Sequence, residues 1–169
     1  SILGVLNFYD LIKVIQNTTE ICQVTHADPR CLASCVAITV LIALILQGES
    51  IANQADVAQI LLTAKQHALQ CLTDSNETKQ EWIDEFNKYY DATTVNELTL
   101  SEEKAIGYTY KCFACGTLGI RSLADPNYTK DYKLFFNEVA YKGGDADTNL
   151  AVAGAVVGAY LGYDQLDQI

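Results

Sequence analysis

The chain has 169 residues, 50% of them hydrophobic, and a formal net charge of -10 from 11 Lys plus Arg against 21 Asp plus Glu. This length and apolar content support one domain with a buried core and exclude a disordered chain. The acidic balance excludes the basic face that nucleic acid or an anionic membrane surface would need, so neither is expected as a partner.

Leu11, Val14, Ile15, Ile21 and Val24 recur at helical spacing and predict a helix over Phe8 to Val24. Asp28 then stands as an N-cap with Pro29 at the first helical position, where its missing N–H costs nothing. The helix this starts, Pro29 to Gln47, is apolar nearly all round, interrupted by Ser34 and Thr39 and closed by Gly48. It is shorter than a membrane span wants and begins at a charged corner, so it reads as a fully buried central helix.

Asn53 caps the next helix, whose stripe is Val57, Ile60, Leu61, Ala64, Ala68 and Leu72. Glu77 to Tyr90 gives an amphipathic helix with Trp82, Ile83, Phe86 and Tyr90 on its apolar side, and Asp91 to Leu100 reads as irregular. Ser101 opens a helix that either runs through Ala105 or resumes near Tyr108 after Gly107, continuing to Ala124. Within it Gly116 and Gly119 leave room for a neighbouring helix or for a ligand, the helix being the simpler expectation. Thr129 caps a helix from Lys130 to Tyr141. No β-alternation interrupts the series, so the periodicity predicts a single all-α domain over 1–169.

The six cysteines, at positions 22, 31, 35, 71, 112 and 115, form an even set, but a chain of this length needs no covalent staples and reduced thiols are expected. Cys112 and Cys115 have the spacing of a redox or zinc pair without the second pair that would complete a site. Asn17, Asn76 and Asn127 head glycosylation sequons, read here as chance matches for want of a signal peptide; the cytoplasm, or the nucleus, is the expected compartment.

The stretch richest in chemistry lies near the C-terminus. Gly143 and Gly144 free the backbone, Asp145, Asp147 and Thr148 follow within four residues, and a small-residue apolar run extends to Gly162. Asp145 can cap this helix and Asp147 and Thr148 fall in its first turn, where such oxygen donors suit a hard divalent cation. The plainer reading is a cap and one acid at the positive helix end. Ala151, Gly154, Ala155, Gly158 and Ala159 make a small face, expected to lie against the Pro29 to Gln47 helix.

Gly143-Gly144-Asp145-Ala146-Asp147-Thr148-Asn149 running into Ala151 to Gly162, together with Thr25-His26-Ala27-Asp28-Pro29-Arg30, resembles the two C-terminal motifs of the ADP-ribosylglycohydrolase family, the DraG-type ADP-ribosyl-acceptor hydrolases. The resemblance implies an all-α orthogonal multi-helix bundle with a binuclear metal centre that hydrolyses the bond between ADP-ribose and its acceptor. It implies Asp145 and Asp147 as catalytic residues, Asp145, Asp147 and Thr148 as ligands to two Mg²⁺ or Mn²⁺ ions, and His26, Gly143 and Gly144 as substrate-binding residues. Asp28 is expected to be a structural cap. His26 without its motif would read as a polar core residue.

The family's Gly-Asp-Ala-type opening and Ser/Thr-Asp-Asp motif are not found, and the sequence contains no Met. These observations lead to the expectation of a C-terminal half, inactive without an N-terminal half or self-association that covers its apolar faces. An ADP-ribosylated acceptor or ADP-ribose is the expected partner, and its diphosphate needs cations to offset the acidic surface. The alternative is a non-catalytic structural or interaction protein that keeps the fold without a complete site.

Overall fold

Helix α2, Pro29–Leu46, is the axis on which the computed structural model is built; the structure describes residues 2–48, 53–127 and 131–166. Every residue from Val36 through Ile45 is buried. Taking one such Ile, Leu or Val out of water stabilises the fold by about 1.5–3 kcal/mol. Four other helices supply the cover: α1, Leu11–Gln23; α3, Gln54–Thr73; α5, Thr109–Ala124; and α7, Ala146–Leu161. By length and composition α2 could cross a membrane, yet it is mostly buried within the bundle. The bare faces expected on this helix are therefore covered within the chain itself. Exposed apolar side chains gather instead on the first 24 residues, where Ile2, Tyr9, Ile12 and Val24 are each at least 70% exposed.

Seven α-helices and no strand are found among the described residues, which is the all-α class predicted from periodicity. Local polar chemistry fixes where each begins. Asp10 accepts the N–H of Lys13 and starts α1 three residues later than the expected Phe8. At α3 the Asn53 side chain accepts from Ala55 and Asp56, while Asp56 accepts from the Asn53 backbone, a complete capping box. Helix α4, Gln80–Tyr90, also begins after the predicted Glu77, because Ser75 takes the N–H groups of Glu77 and Thr78 into a turn. A 3₁₀ turn at Val95–Leu98 occupies the segment predicted irregular. Helix α6, Tyr132–Lys142, is capped by Asp131, whereas the expected cap Thr129 lies outside the described residues.

The predicted partner of α7 requires correction. This helix packs chiefly on α5, and only secondarily on α2. It turns Asn149, Ala153, Val156 and Val157 inward, while Gly158 has nothing within reach of a would-be Cβ. The close approach is instead created on α5: a Cβ on Gly116 would stand 2.8 Å from Ile38 Cδ1 and 3.3 Å from Val156 Cγ2, and one on Gly119 would stand 3.0 Å from Val157 and Phe135. The two α5 glycines thus receive branched side chains from their neighbours, as the helix-packing reading expected.

Candidate active site

At the start of α2 the Asp28 carboxylate has two tasks. Its Oδ1 accepts the Arg30 backbone N–H at 2.9 Å, which caps the helix, and also Arg30 Nε at 3.0 Å. Its Oδ2 accepts Arg30 Nη2 at 2.6 Å. A guanidinium held at two nitrogens by one carboxylate is fixed in direction as well as charge. The Arg30 hydrogen bonds, outweighing partial burial, hold Asp28 below the usual carboxylate range. The other face of the guanidinium lies over the Trp82 ring, 4.7 Å from its centroid. His26, two residues before Asp28, is exposed rather than a core residue, and its Nδ1 lies 3.0 Å from Thr25 Oγ1.

At the start of α7 the acids behave differently from expectation. Asp145 occupies the N-cap position with φ -83° and ψ 57°, and its side chain makes no capping hydrogen bond. Its Oδ1 instead accepts from Thr148 Oγ1 at 2.9 Å, and its Oδ2 is the atom that a Cβ on Gly107 would meet at 3.9 Å. Asp147 is exposed, and the helix N-terminus around the Thr148 backbone N–H holds it below the usual carboxylate value. The Asp145 carboxylate is thus not used as a cap and is held instead by the Thr148 hydroxyl.

Backbone packing sets the approach to this helix. Gly143 and Gly144 both have positive φ, 68° and 72°, and a Cβ on Gly144 would collide with the Leu100 carbonyl. That carbonyl belongs to a loop clamped by Lys111, fully buried, whose Nζ donates to Thr99 O at 2.8 Å and lies 3.5 Å from Glu102 Oε2. The carbonyl and the carboxylate give the buried amine its hydrogen-bond partners.

The two helix starts, more than a hundred residues apart in sequence, open onto one cleft of about 610 Å³. His26, Asp28, Asp145 and Thr148 all line it, whereas Gly143, Gly144 and Asp147 do not. A volume of this size suits a nucleotide-sized ligand. Lining residues that the sequence reading missed are Arg30, Tyr108 and the thiols Cys22, Cys31, Cys35 and Cys112. Arg30 carried a signal, since an Asp-Pro-Arg corner offers an Arg to the capping acid; the thiols carried none. Cys112 lines the cleft with its Sγ 3.8 Å from Thr148 O, and burial first, then the Asp145 carboxylate and Cys35, push its thiol up to about 11.

The donor set bears on metal binding. Asp145, its neighbour Asp147 and the Thr148 hydroxyl are hard oxygens appropriate to Mg²⁺ or Mn²⁺. No group of three His, Cys, Asp or Glu poised for a metal is found among the described residues. Asp28, the other carboxylate in the cleft, is committed to Arg30. The residues fit one cation that keeps part of its shell as water, the usual habit of Mg²⁺.

Fold and cleft together define an all-helical protein with an acid and a hydroxyl presented at a helix start. The chain belongs to the ADP-ribosylglycohydrolase family, whose sequence model matches residues 1–168. That match runs over essentially the whole chain and does not bear out the expectation of a C-terminal half alone. The family is one of hydrolases, generally metal-dependent, that act on ADP-ribosylated substrates. No curated protein and no solved structure matches the chain.

Proposed function

We propose that the protein is a metal-dependent hydrolase that releases ADP-ribose from a modified protein side chain or small molecule, using the cleft between the starts of α2 and α7. The observation that carries this reading is the convergence of His26, Asp28 and Arg30 with Asp145 and Thr148 on one cleft of about 610 Å³. Asp145 and Thr148, with Asp147 beside them, would hold Mg²⁺ or Mn²⁺. Once bound, the metal supplies Lewis-acid polarisation and activation of water for attack at the anomeric carbon. A second ion of the expected pair needs donors beyond these three side chains.

The chain's own residues divide the remaining work. Thr148 fixes Oδ1 of Asp145 and leaves Oδ2 directed toward Gly107 at the cleft lining. Arg30, pinned by Asp28, offers a fixed positive charge to a diphosphate, and its preset direction reduces the ordering cost of binding. His26 supplies a second polar contact from the same wall. Calorimetric titration of ADP-ribose into wild type and His26→Ala tests the assignment. A weakening of about tenfold, the loss of one good polar contact, is expected with no change in melting temperature. Equal affinities would remove His26 from the site.

One observation favours the second reading, a family member that retains the fold without a working site. The described residues gather no three-ligand group of the kind a tightly bound ion uses. Release of ADP-ribose from a modified substrate in the presence of Mg²⁺ or Mn²⁺ would exclude it.

A further inference from the structure

The wall of the cleft formed by α1 and α2 carries a facing pair of thiols that the hydrolytic reading does not use. The two helices run antiparallel, as the hydrogen bonds from Gln47 Nε2 to Phe8 O and from Thr18 Oγ1 to Thr39 Oγ1 require. The second of these, at 3.0 Å, fixes their register. One turn onward from Thr18 is Cys22, and one turn back from Thr39 is Cys35, so the next facing pair across the interface is Cys22 with Cys35. All four of these residues line the cleft. Cys35 is also the sole exposed residue between Ala33 and Ile45 of α2, so the cleft opens the otherwise closed face of that helix at this thiol.

We propose that Cys22 and Cys35 are a reversible redox site in the cleft wall, closed to a disulfide by a peroxide with Cys35 as the thiol that reacts first. In the first step the Cys35 sulfur attacks one peroxide oxygen, the O–O bond breaks, and a sulfenic acid and one water result. In the second, the Cys22 sulfur attacks the Cys35 sulfur, the S–O bond breaks, and the oxygen leaves as water with the Cys22 proton. Together the two thiols lose two electrons and the peroxide is reduced to two waters.

The order follows from access. Cys35 is exposed, whereas Cys22 is partly buried, donates to His26 O at 3.6 Å and is pushed up to about 12, first by burial and then by its contact with Cys35. The less accessible thiol of the two meets the sulfenic sulfur of its facing neighbour rather than the oxidant itself. Cys31 is the wrong partner, because residues four apart on one helix hold their Cβ atoms roughly 5–6 Å apart, beyond the roughly 3.5–4.5 Å a disulfide needs. A soft-metal site is disfavoured because the three thiols of this wall are not gathered into a metal-binding group.

Mass-spectrometric mapping decides the matter. The purified chain is treated with hydrogen peroxide, free thiols are alkylated, and the protein is digested with trypsin without reduction. Cleavage at Arg30 separates Cys22 from a peptide holding both Cys31 and Cys35, and fragmentation distinguishes the latter two. A Cys22–Cys35 cross-link that dithiothreitol removes, accompanied by an upward shift in melting temperature that reverses with it, is expected. In Cys22→Ser the cross-link is lost and Cys35 accumulates as the sulfenic acid or higher oxides. Cys35 left reduced in wild type, joined to Cys31 or Cys112, or oxygenated while Cys22 remains free would each overturn the proposal.

Discussion

The two helix starts that meet at the cleft place the same residue in the same position and put it to opposite uses. Asp28 caps α2 and clamps Arg30, so its carboxylate is consumed by structure. Asp145 stands at the N-cap of α7, makes no cap, and takes only the Thr148 hydroxyl, so its second oxygen is left for the cleft. The difference lies in the neighbours. Pro29 and Arg30 hold Asp28 extended and supply donors, whereas the two positive-φ glycines deliver Asp145 with a backbone that does not aim its side chain at the helix N–H groups. An acid before a helix is thus open to a ligand only where its side chain is not spent on the cap.

Asp145→Asn should break the comparison most severely. If Asp145 is a ligand, hydrolysis of ADP-ribosylated substrate should fall about 100-fold or more, while the melting temperature holds because no cap is lost. A melting temperature that drops as it does for a lost cap would return Asp145 to a structural role.

Gly144→Ala should come next, acting on stability. The new Cβ meets the Leu100 carbonyl at a backbone conformation that L side chains rarely adopt, so a loss of about 2–3 kcal/mol is expected in denaturant unfolding. An unchanged midpoint would show that the loop held by Lys111 yields easily.

Asp28→Ala should cost about 1–2 kcal/mol, since it removes the cap and releases Arg30. It should also weaken ADP-ribose binding through Arg30, which separates it from a cap loss alone; calorimetry would read both effects.

The smallest effect sharpens the comparison by pH. Asn still caps, so Asp28→Asn removes chiefly the half-exposed ion pair, worth about 0.2–1 kcal/mol at neutral pH. Because the folded state depresses the Asp28 pKa below its ordinary 3.8, the pair's contribution is present above that value and lost as pH falls through the lower folded one. Unfolding midpoints of wild type and variant should therefore differ at pH 7 and converge as the pH falls through the depressed folded value. A constant difference at every pH would mean that the charge plays no part.

Much of this molecule was legible in one dimension. Periodicity and cap residues are local, so α2 from Pro29, α3 from Asn53 and the α7 run to Gly162 follow from residues within a turn of each boundary. Where boundaries moved, at α1 and α4, the cause was a second polar residue, Asp10 or Ser75, competing for the same N–H groups. The motifs also named the right family and four lining residues of the cleft, His26, Asp28, Asp145 and Thr148.

Other features depended on distance in space. The small-residue face of α7 did not choose its neighbour, because close approach was decided by Gly116 and Gly119 on the facing helix, which no pattern within α7 could report. Asp145 and Asp147 look interchangeable in sequence; only the fold turned one into the cleft and left the other in solvent. Arg30 over Trp82 and the thiols Cys22 and Cys35 facing across a hairpin are likewise invisible until helices pack. Local propensity determined the helices and the capping residues, because those energies act within a turn. Which side chains share a cleft was decided by side-chain volume and register between helices, because those act between residues far apart in the chain.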